Sequence, residues 1–321
     1  MLPEYREPFQ PERRLSKIAT IGMFDGVHKG HQFLLRELIS EAQKRCLQSV
    51  VVTFFDHPRN LLSGNAERLL TTREERKALL EACGVDKVVM LEFADIQKQT
   101  AKQFMRFLRE RYDVTVVIMG YDHRFGSDRL CSYDDYANAG KEAGVEVTLL
   151  KEASSSIPYN DNKAHDNSSE KPYPISSSRI RKALQQGRAE AANEMLGREY
   201  SLFGKVVHGK GLGTRLGFPT ANISLSDPDK LLPKDGVYAV QTEIGGILYR
   251  AVMNIGTNPT VQDKEEPRTY IEVHVIDFEG NLYNQLMRVE ILHRLRDEQR
   301  FESLDALRRQ IETDILICKK D

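Results

Sequence analysis

Two histidines stand three residues apart in a glycine-rich segment near the start of the chain. Residues 22–31 read Gly-Met-Phe-Asp-Gly-Val-His-Lys-Gly-His, which places Gly30 between His28 and His31. Glycine lets the backbone approach a ligand closely, and the first turn of a following helix favours phosphate. Imidazoles there can stabilise charge that develops on phosphoryl oxygens. We therefore expect a phosphate-transfer site. Ordinary turn histidines and a zinc site are the alternatives, and zinc is disfavoured because no third ligand is evident nearby.

A serine-rich segment further along the chain could serve the same chemistry. Residues 175–181 read Ile-Ser-Ser-Ser-Arg-Ile-Arg and open a helical pattern. The hydroxyl groups of Ser177 and Ser178, the free N–H groups of the helix start and the guanidinium of Arg181 could hold a triphosphate. Simple N-capping by the serines is the alternative, and the two roles are compatible.

Aromatic and polar residues also follow two predicted strands. Residues 53–58 read Thr-Phe-Phe-Asp-His-Pro, and residues 120–126 read Gly-Tyr-Asp-His-Arg-Phe-Gly. Side chains at the carboxyl ends of strands line the ligand crevice of a doubly wound sheet, and aromatic rings there can stack on flat ligands. The alternative is that these aromatic side chains belong to the core.

The second half of the chain carries a different glycine-rich loop. Residues 208–217 contain four glycines, and Phe-Pro-Thr-Ala-Asn follows at residues 218–222. Such a loop can wrap phosphates with its N–H groups. Thr220 and Asn222 lie two residues apart on an extended segment, and their oxygens could both reach Mg²⁺. A flexible loop followed by an edge strand is the alternative.

A glutamate lies in a predicted strand downstream of this loop. In that strand Ile271, Val273 and Val275 alternate with Glu272, so the carboxylate lies on the opposite face from the three apolar side chains. A carboxylate near a phosphate loop could accept a hydroxyl proton. An exposed strand glutamate without a catalytic role is the alternative.

The elements that must position the first set of residues alternate between short apolar runs and amphipathic segments. We predict strands at 18–21, 50–55, 87–91, 114–119 and 145–150, and helices at 33–46, from 71–72 to 83, at 103–111 and at 133–143. Runs that are apolar on both faces, separated by helices, indicate a doubly wound α/β domain with a parallel sheet. Thr72 and Glu75 have the spacing of a capping box.

From residue 200 onward the pattern changes to short runs rich in Val, Ile and Tyr. We predict strands at 202–207, 237–243, 247–254, 270–276 and 286–292, a tight turn at Gly245-Gly246, and one closing helix with apolar residues from 304 to 315. This pattern indicates an antiparallel β-barrel or sandwich with a C-terminal helix. We place the domains at 1–186 and 187–321, with further helical segments at 177–187 and 189–196. The polar stretch 152–174 is expected to be a mobile loop or flap.

Composition limits the classes of function. The chain has 321 residues, a net charge of −1 and no long apolar run. A nucleic-acid partner is not indicated because there is no basic excess, and the sequence has no pattern of a signal peptide or membrane span. We therefore expect a cytoplasmic enzyme. The sequence gives no indication of its oligomeric state.

Taken together, the motifs resemble those of the bacterial bifunctional riboflavin kinase/FAD synthetases. His-x-Gly-His at 28–31 and Ile-Ser-Ser-x-x-Ile-Arg at 175–181 resemble the signatures of the HxGH nucleotidyltransferases. Leu-Gly-Phe-Pro-Thr-Ala-Asn at 216–222, Asn-Ile-Gly at 254–256 and Glu-Val-His at 272–274 resemble riboflavin kinase. The resemblance extends from about residue 17 to about residue 317.

The resemblance implies two reactions: phosphorylation of riboflavin by ATP to give FMN, and adenylylation of FMN by a second ATP to give FAD and pyrophosphate. It implies Mg²⁺ held by Thr220 and Asn222, Glu272 as the base toward the riboflavin 5′-hydroxyl, and His28 and His31 on the ATP phosphates. The remaining expected ATP contacts are Gly22, Phe24, Gly30, Asp122, Ser177, Ser178, Arg181, Gly209, Lys210, Gly213 and Thr220. Phe55, His57 and Pro58 are expected to contact the flavin.

Two other functions stay open at this point. A monofunctional nucleotidyltransferase with another phosphate acceptor would use His28 and His31 but would leave residues 200–321 without a role. A flavin-binding sensor would bind flavin without releasing ADP or pyrophosphate. The chain also departs from the family at Asn284, where the family usually has glycine after Leu-Tyr, in a turn near the nucleotide.

Overall fold

Residues 16–55, 67–120, 124–150, 158–159, 173–209, 211–258 and 268–320 are described by a computed structural model. They fall into two units. The first takes the described residues of Met1–Phe24, His31–Gly64 and Lys77–Ser155, and the second takes those of Asp25–Gly30, Asn65–Arg76 and Ser156–Asp321.

The first unit is built on a parallel sheet. Its strands are β1 (Lys17–Ile21), β2 (Gln48–Phe54), β3 (Lys87–Leu91), β4 (Val114–Met119) and β5 (Glu146–Leu149). They pair in the order β3-β2-β1-β4-β5, and every pairing is parallel. All five predicted strands are confirmed. The order of the strands reverses between β1 and β4, which is where a doubly wound sheet opens its ligand crevice.

The helices that follow these strands are α1 (Lys29–Lys44), α2 (Arg73–Ala82), α3 (Phe93–Ile96), α4 (Ala101–Tyr112) and α5 (Tyr133–Ala143). The capping box before α2 is confirmed, because Thr72 N donates to Glu75 Oε2 at 2.9 Å and Glu75 N donates to Thr72 Oγ1 at 3.2 Å. The predicted start of the first helix at residue 33 is wrong. The helix begins at Lys29, within the His-x-Gly-His motif, so His31 lies in its first turn. The short helix α3 was not predicted.

The second unit contains a closed antiparallel barrel. Its strands are β8 (Tyr200–Val207), β9 (Ala221–Leu225), β10 (Gly236–Ile244), β11 (Ile247–Asn258), β12 (Arg268–Val275) and β13 (Leu286–Arg296), in the order β10-β11-β12-β9-β8-β13. The Gly245-Gly246 turn is confirmed: both residues have positive φ, 59° and 81°, and Ile244 pairs with Ile247. The strand β9 was not among the predicted strands.

The glycine-rich segment before β9 is more ordered than the expected loop. It contains a short helix, α8 (Leu212–Leu216), flanked by Gly211 at φ 70° and Gly217 at φ 90°. Both glycines therefore adopt the left-handed conformation that other residues rarely adopt. They allow one helical turn where the sequence analysis expected a glycine-rich loop.

Two helices and a segment from the first half of the chain share the core of the barrel unit. The helices are α6 (Ser177–Gln185) and α7 (Ala189–Leu196), and the segment contributes Leu70. Leu70, Ile180 and Leu184 belong to the same buried apolar cluster as the barrel core. These residues therefore pack in the barrel unit. The boundary between the two functional domains, after residue 186, stays a prediction.

The C-terminal helix α9 (Leu304–Cys318) covers part of the outer surface of the barrel. Its Cys318 packs with Val237, Ala239 and Val252. On the same helix Asp314 accepts a hydrogen bond from Arg296 Nη2 at 2.7 Å. The expected closing helix is therefore confirmed.

The stretch expected to be a mobile loop, 152–174, lies mostly outside the described residues. Two short strands are described at its ends, β6 (Pro158–Tyr159) and β7 (Tyr173–Pro174), and they pair antiparallel.

Candidate active sites

The glycine-rich segment after β1 forms a tight turn. Gly22 N continues the ladder by donating to Val52 O at 3.0 Å. A Cβ on Gly22 would lie 3.1 Å from the ring of Phe24, so glycine gives that ring its space. Phe24 itself is buried, has a positive φ of 52° and meets the ring of His31 edge-on at 5.2 Å between centroids. Gly22 and Phe24 thus shape this turn.

The next residue, Asp25, anchors the turn from inside. Its side chain is 2% exposed. Oδ2 accepts from Leu70 N and Oδ1 accepts from Thr71 N, each at 3.0 Å, and the Thr71 hydroxyl donates to Oδ1 at 3.0 Å. The same hydroxyl accepts from Gly26 N at 3.1 Å. Asp25 was not a predicted site residue, since nothing in its local sequence announces partners 45 residues away.

His28 is buried beside this anchor. Only 5% of it is exposed, and its pKa is lowered from 6.5 to about 4, chiefly by burial; the Asp25 carboxylate opposes this shift and the positive charge of Arg198 contributes to it. The imidazole is therefore neutral at pH 7. A Cβ on Gly30 would lie 3.2 Å from the ring, so the glycine in His-x-Gly-His gives the His28 ring room to pack over the backbone.

The serine-rich motif begins α6 in the same unit. Ser176 caps the helix by accepting from Arg179 N at 3.4 Å. Ser177 Oγ donates to Asp25 O at 2.8 Å, while Ser178 is exposed. The capping alternative therefore holds for Ser176, and the hydroxyl of Ser177 connects this motif to the histidine turn.

Arg181 has internal partners for its guanidinium. It is 6% exposed, and its Nη2 pairs with Asp25 Oδ2 at 2.5 Å. Its Nη1 pairs with Glu67 at 3.1 Å, and its Nε donates to Arg68 O at 2.9 Å. The structure thus shows Arg181 holding Asp25, and its contact with ATP stays a prediction.

The other residues expected in this half are only partly described. Phe55 is half-buried just past β2, and its N–H donates to Leu91 O at 3.0 Å. His57, Pro58 and Asp122 lie outside the described residues. Their expected contacts stay predictions.

In the barrel, the strand pairing brings the expected kinase residues together. Glu272 on β12 pairs directly with Asn222 on β9, and on its other side with Asn254 on β11. Residues that face each other across neighbouring strands project to the same face, with Cβ atoms about 5 Å apart. The three side chains are half-buried, while their strand neighbours are buried in the barrel core. We call Asn222, Glu272 and Asn254 the polar row. It lies on the outer face of the barrel.

Glycines of the preceding segment make room for the polar row. A Cβ on Gly209 would lie 2.1 Å from Asn222 Nδ2. A Cβ on Gly213 would lie 2.4 Å from Phe218 O and 3.1 Å from the Thr220 side chain. A side chain at Gly209 would therefore displace Asn222, and one at Gly213 would displace residues 218–220, which lead into β9. Lys210 lies outside the described residues.

The segment that leads into β9, residues 218–220, is held against β12 by His274. His274 Nδ1 lies 2.9 Å from Pro219 O, and its ring meets Phe218 edge-on at 5.6 Å. Thr220 lines a cavity of about 210 Å³, together with Thr214, Val206, Val273, Phe278, Asn281 and Tyr283 among others. Its lining includes the core-facing residues Ala221, Val273 and Val275, whereas the polar row projects from the opposite face of β9 and β12.

The turn beside the cavity explains the departure at Asn284. This residue has a φ of 65°, in the left-handed region, and its N–H donates to Val206 O at 2.9 Å. Asparagine is the residue besides glycine that most readily adopts this conformation. Asn284 therefore keeps the turn where the family usually has glycine.

Sequence analysis missed a second carboxylate next to the polar row. Glu298 Oε1 accepts from the Tyr270 hydroxyl at 2.6 Å and from Asn254 Nδ2 at 3.0 Å. Burial, the Glu298 carboxylate and more weakly Glu272 raise the pKa of Tyr270 well above its usual value, so the phenol stays protonated. Glu298 follows β13 in the chain, and only the barrel topology brings it here.

The donors around Thr220 and Asn222 suit a hard cation. Their hydroxyl and amide oxygens are ligands that Mg²⁺ accepts, usually in combination with substrate phosphates. Among the residues that the structure describes, no three His, Cys, Asp or Glu side chains are grouped so as to hold a metal ion by themselves. A cation bound by Asn222 and Thr220 would therefore take its remaining ligands from the phosphates of a nucleotide.

Comparisons with known proteins match this division of the chain. A family model described as riboflavin kinase matches residues 196–320, and one described as FAD synthetase matches residues 10–157. A bifunctional riboflavin kinase/FMN adenylyltransferase of Pseudomonas fluorescens is 34% identical over 312 residues, covering 97% of this chain and 94% of that protein. The chain belongs to the bifunctional riboflavin kinase/FMN adenylyltransferase family.

Other relatives agree. The protein of the same name from Escherichia coli K12 is 35% identical over 94% of this chain and 92% of its own length, and that of Bacillus subtilis is 32% identical over the same shares. A crystal structure named macrolide-efflux protein, from Streptococcus pneumoniae, has a TM-score of 0.81 and 31% identity, covering 95% of this chain and 94% of that one. Among the described residues no helix has the length and apolar character needed to span a membrane.

Family membership answers the two alternatives left by the sequence. The riboflavin kinase match gives residues 196–320 the role that a monofunctional nucleotidyltransferase would deny them. The two matches assign a catalysed reaction to each half, whereas a flavin-binding sensor would catalyse neither. The serine-rich motif at 175–181 lies in neither matched segment, so its role in this bifunctional riboflavin kinase/FMN adenylyltransferase rests on its contacts with Asp25.

Proposed function

We propose that the two reactions of this family are divided between two sets of residues: the polar row of the barrel phosphorylates riboflavin, and the histidine turn with the serine-rich motif adenylylates FMN. The observation that carries the proposal is the register of β9, β12 and β11. It places a general-base candidate, Glu272, between the amides of Asn222 and Asn254 on one face of the barrel.

In the kinase reaction, Glu272 accepts the proton of the riboflavin 5′-hydroxyl as that oxygen attacks the γ-phosphorus of ATP. The new O–P bond forms while the bond from the γ-phosphorus to the bridging oxygen breaks, and ADP leaves. Thr220 and Asn222 would hold Mg²⁺, and the bound ion would neutralise charge on the phosphate oxygens. Backbone N–H groups at Gly209, Lys210 and Gly213 hold the phosphates.

In the adenylylation reaction, a phosphate oxygen of FMN attacks the α-phosphorus of ATP. The bond to the leaving pyrophosphate breaks as the new P–O bond forms. The nucleophile is already anionic, so no protein base is required. A neutral His28 can donate one hydrogen bond to a phosphoryl oxygen, and His31 has the same chemistry.

Further contacts to this ATP come from Gly22, Phe24, Gly30, Asp122, Ser177, Ser178 and Arg181, and the flavin is held by Phe55, His57 and Pro58. Arg181 also holds the Asp25 side chain in place. We further propose Mg²⁺ as the divalent cation of both reactions and the cytoplasm as the location of the enzyme.

The test follows riboflavin, FMN and FAD by chromatography after addition of ATP and Mg²⁺. Glu272→Gln should lower FMN formation by roughly 10²–10⁴-fold, as expected for loss of a general base, while added FMN is still converted to FAD. His28→Ala with His31→Ala should do the reverse. Glu243→Gln on β10 is the matched control, since this glutamate is exposed on the barrel away from the polar row. Loss of both reactions in Glu272→Gln would refute the division.

A further inference from the structure

The turn that leads to His28 is held in a strained conformation. Gly26 has a φ of 82° and Val27 a φ of 38°. A β-branched residue such as valine rarely adopts positive φ, and a conformation of this kind persists only where surrounding contacts impose it. The contacts that impose it here therefore determine where the His28 side chain is presented.

Arg198 contacts both Gly26 and the strained Val27. Its Nη2 donates to Gly26 O at 2.7 Å, and its Nη1 lies 3.3 Å from Val27 O as a donor. The two nitrogens of one planar guanidinium thus bind two consecutive carbonyl groups, and hydrogen bonds from a charged donor are stronger than those from a neutral one. Thr71 contacts the same turn, because its hydroxyl accepts a hydrogen bond from Gly26 N and its own N–H donates to Asp25 Oδ1.

The position of Arg198 is fixed by the barrel. It follows α7, whose Asn193 donates to Ile291 O on β13 at 2.7 Å and accepts from Tyr200 N at 2.8 Å. Tyr200 begins β8, and its hydroxyl donates to Leu231 O at 2.7 Å. Both flanks of Arg198 are therefore tied to the barrel, through the Asn193 side chain on one side and through Tyr200, the first residue of β8, on the other.

We infer that Arg198 is a positioning residue for FMN adenylylation, supplied by the segment that matches riboflavin kinase. It acts through the Gly26 and Val27 carbonyls, which it locks so that the following residue, His28, meets the ATP phosphates in one orientation. The inference rests on the proposed role of the histidine turn. It also assigns a reason for joining both activities in one chain: the adenylylating turn is completed by a side chain anchored in the kinase barrel.

Replacement of Arg198 by methionine keeps an unbranched side chain and removes the guanidinium with its hydrogen bonds to the Gly26 and Val27 carbonyl groups. Because a misplacement of about 1 Å at a reacting group can cost on the order of 10²-fold in rate, kcat for FMN adenylylation should fall by roughly that factor. The KM for ATP should change much less, since other groups also bind the nucleotide. Riboflavin kinase activity should be unchanged, and because the polar row belongs to the same unit, that activity also reports that the unit is folded.

The experiment measures kcat and KM of both reactions for wild type, Arg198→Met, Arg198→Lys and the control Arg288→Met. Arg288 is an exposed arginine on β13 that pairs only at the surface with Glu290 at 3.3 Å. Arg198→Lys should lie between wild type and Arg198→Met, because an ammonium group lacks the planar fork that binds two carbonyls.

Two results would overturn the inference: wild-type adenylylation in Arg198→Met, or a parallel loss of both reactions in both Arg198 variants. Failure of the underlying function gives a different pattern. If His28→Ala with His31→Ala still makes FAD at the wild-type rate, the proposed role of the turn is wrong whatever Arg198 does. If that double variant is inactive and Arg198→Met is fully active, only the inference about Arg198 is wrong.

Discussion

Replacing Asp25 by asparagine preserves the size of a buried side chain and removes its charge. The carboxylate accepts from two backbone N–H groups, from the Thr71 hydroxyl and from Arg181 Nη2. An asparagine offers one oxygen and one NH₂ group in the same space. In either orientation, the NH₂ group of the asparagine would therefore face groups that donate hydrogen bonds. Arg181 would also lose its buried anionic partner.

The cost follows from that geometry. Arg181 and Asp25 have side chains only 7% and 2% exposed, so solvent cannot replace the lost partner. Removing one member of a buried pair typically costs about 3–5 kcal/mol. Glu67 still faces Arg181 at 3.1 Å, which favours the lower end of that range. For a unit of this size about 3 kcal/mol corresponds to a lower melting temperature by roughly 6–12 °C.

The assay is thermal unfolding by calorimetry at pH 7, with the FMN-to-FAD rate measured on the same preparations. We expect Asp25→Asn to show both the lower melting temperature and a reduced adenylylation rate. The double variant Asp25→Asn with Arg181→Met should recover part of the lost stability, because it no longer buries an uncompensated charge. A loss below about 1 kcal/mol, the size of an exposed ion pair, would refute the reasoning.

Two further predictions concern His28 and Gly209. The pKa of His28 is lowered to about 4 from 6.5, so the unfolded chain binds more protons than the folded one between these values. The contribution of neutral His28 to folding stability is therefore complete above pH 6.5 and is lost as the pH falls toward 4. NMR titration of His28 should find the lowered pKa. An ordinary pKa near 6.5 would contradict the burial argument. Gly209→Ala should abolish most riboflavin phosphorylation but leave FMN adenylylation intact, because a Cβ there would lie 2.1 Å from Asn222 Nδ2; wild-type kinase activity in steady-state assays would show that Asn222 has room to move.

Local patterns were enough to predict much of the fold. Runs apolar on both faces identified all five strands of the parallel sheet, and paired glycines identified the β10–β11 turn. Alternation along β12 placed Glu272 on the face opposite to the apolar residues, which the burial of Ile271 and Val273 confirms. These features depend on neighbours within a few residues, so the sequence displays them directly.

The remaining features depend on contacts between distant segments. Asp25 meets Thr71 and Arg181, which are 46 and 156 residues away. Arg198 meets Gly26 across 172 residues, and Glu298 meets Tyr270 across 28. No periodicity announces such pairs, because they are set by how the chain packs. For the same reason the helical turn of α8 and the pairing of β9 with β12 became evident only in the structure.

Mixing two inactive variants tests the division of labour most directly. Glu272→Gln and the double variant His28→Ala with His31→Ala are combined with riboflavin, ATP and Mg²⁺, and FAD is followed by chromatography. If the polar row and the histidine turn act independently, FMN released by the second protein is adenylylated by the first, and the mixture makes FAD that neither protein makes alone from riboflavin. A mixture that accumulates no FAD, although the histidine variant produces FMN, would contradict the account.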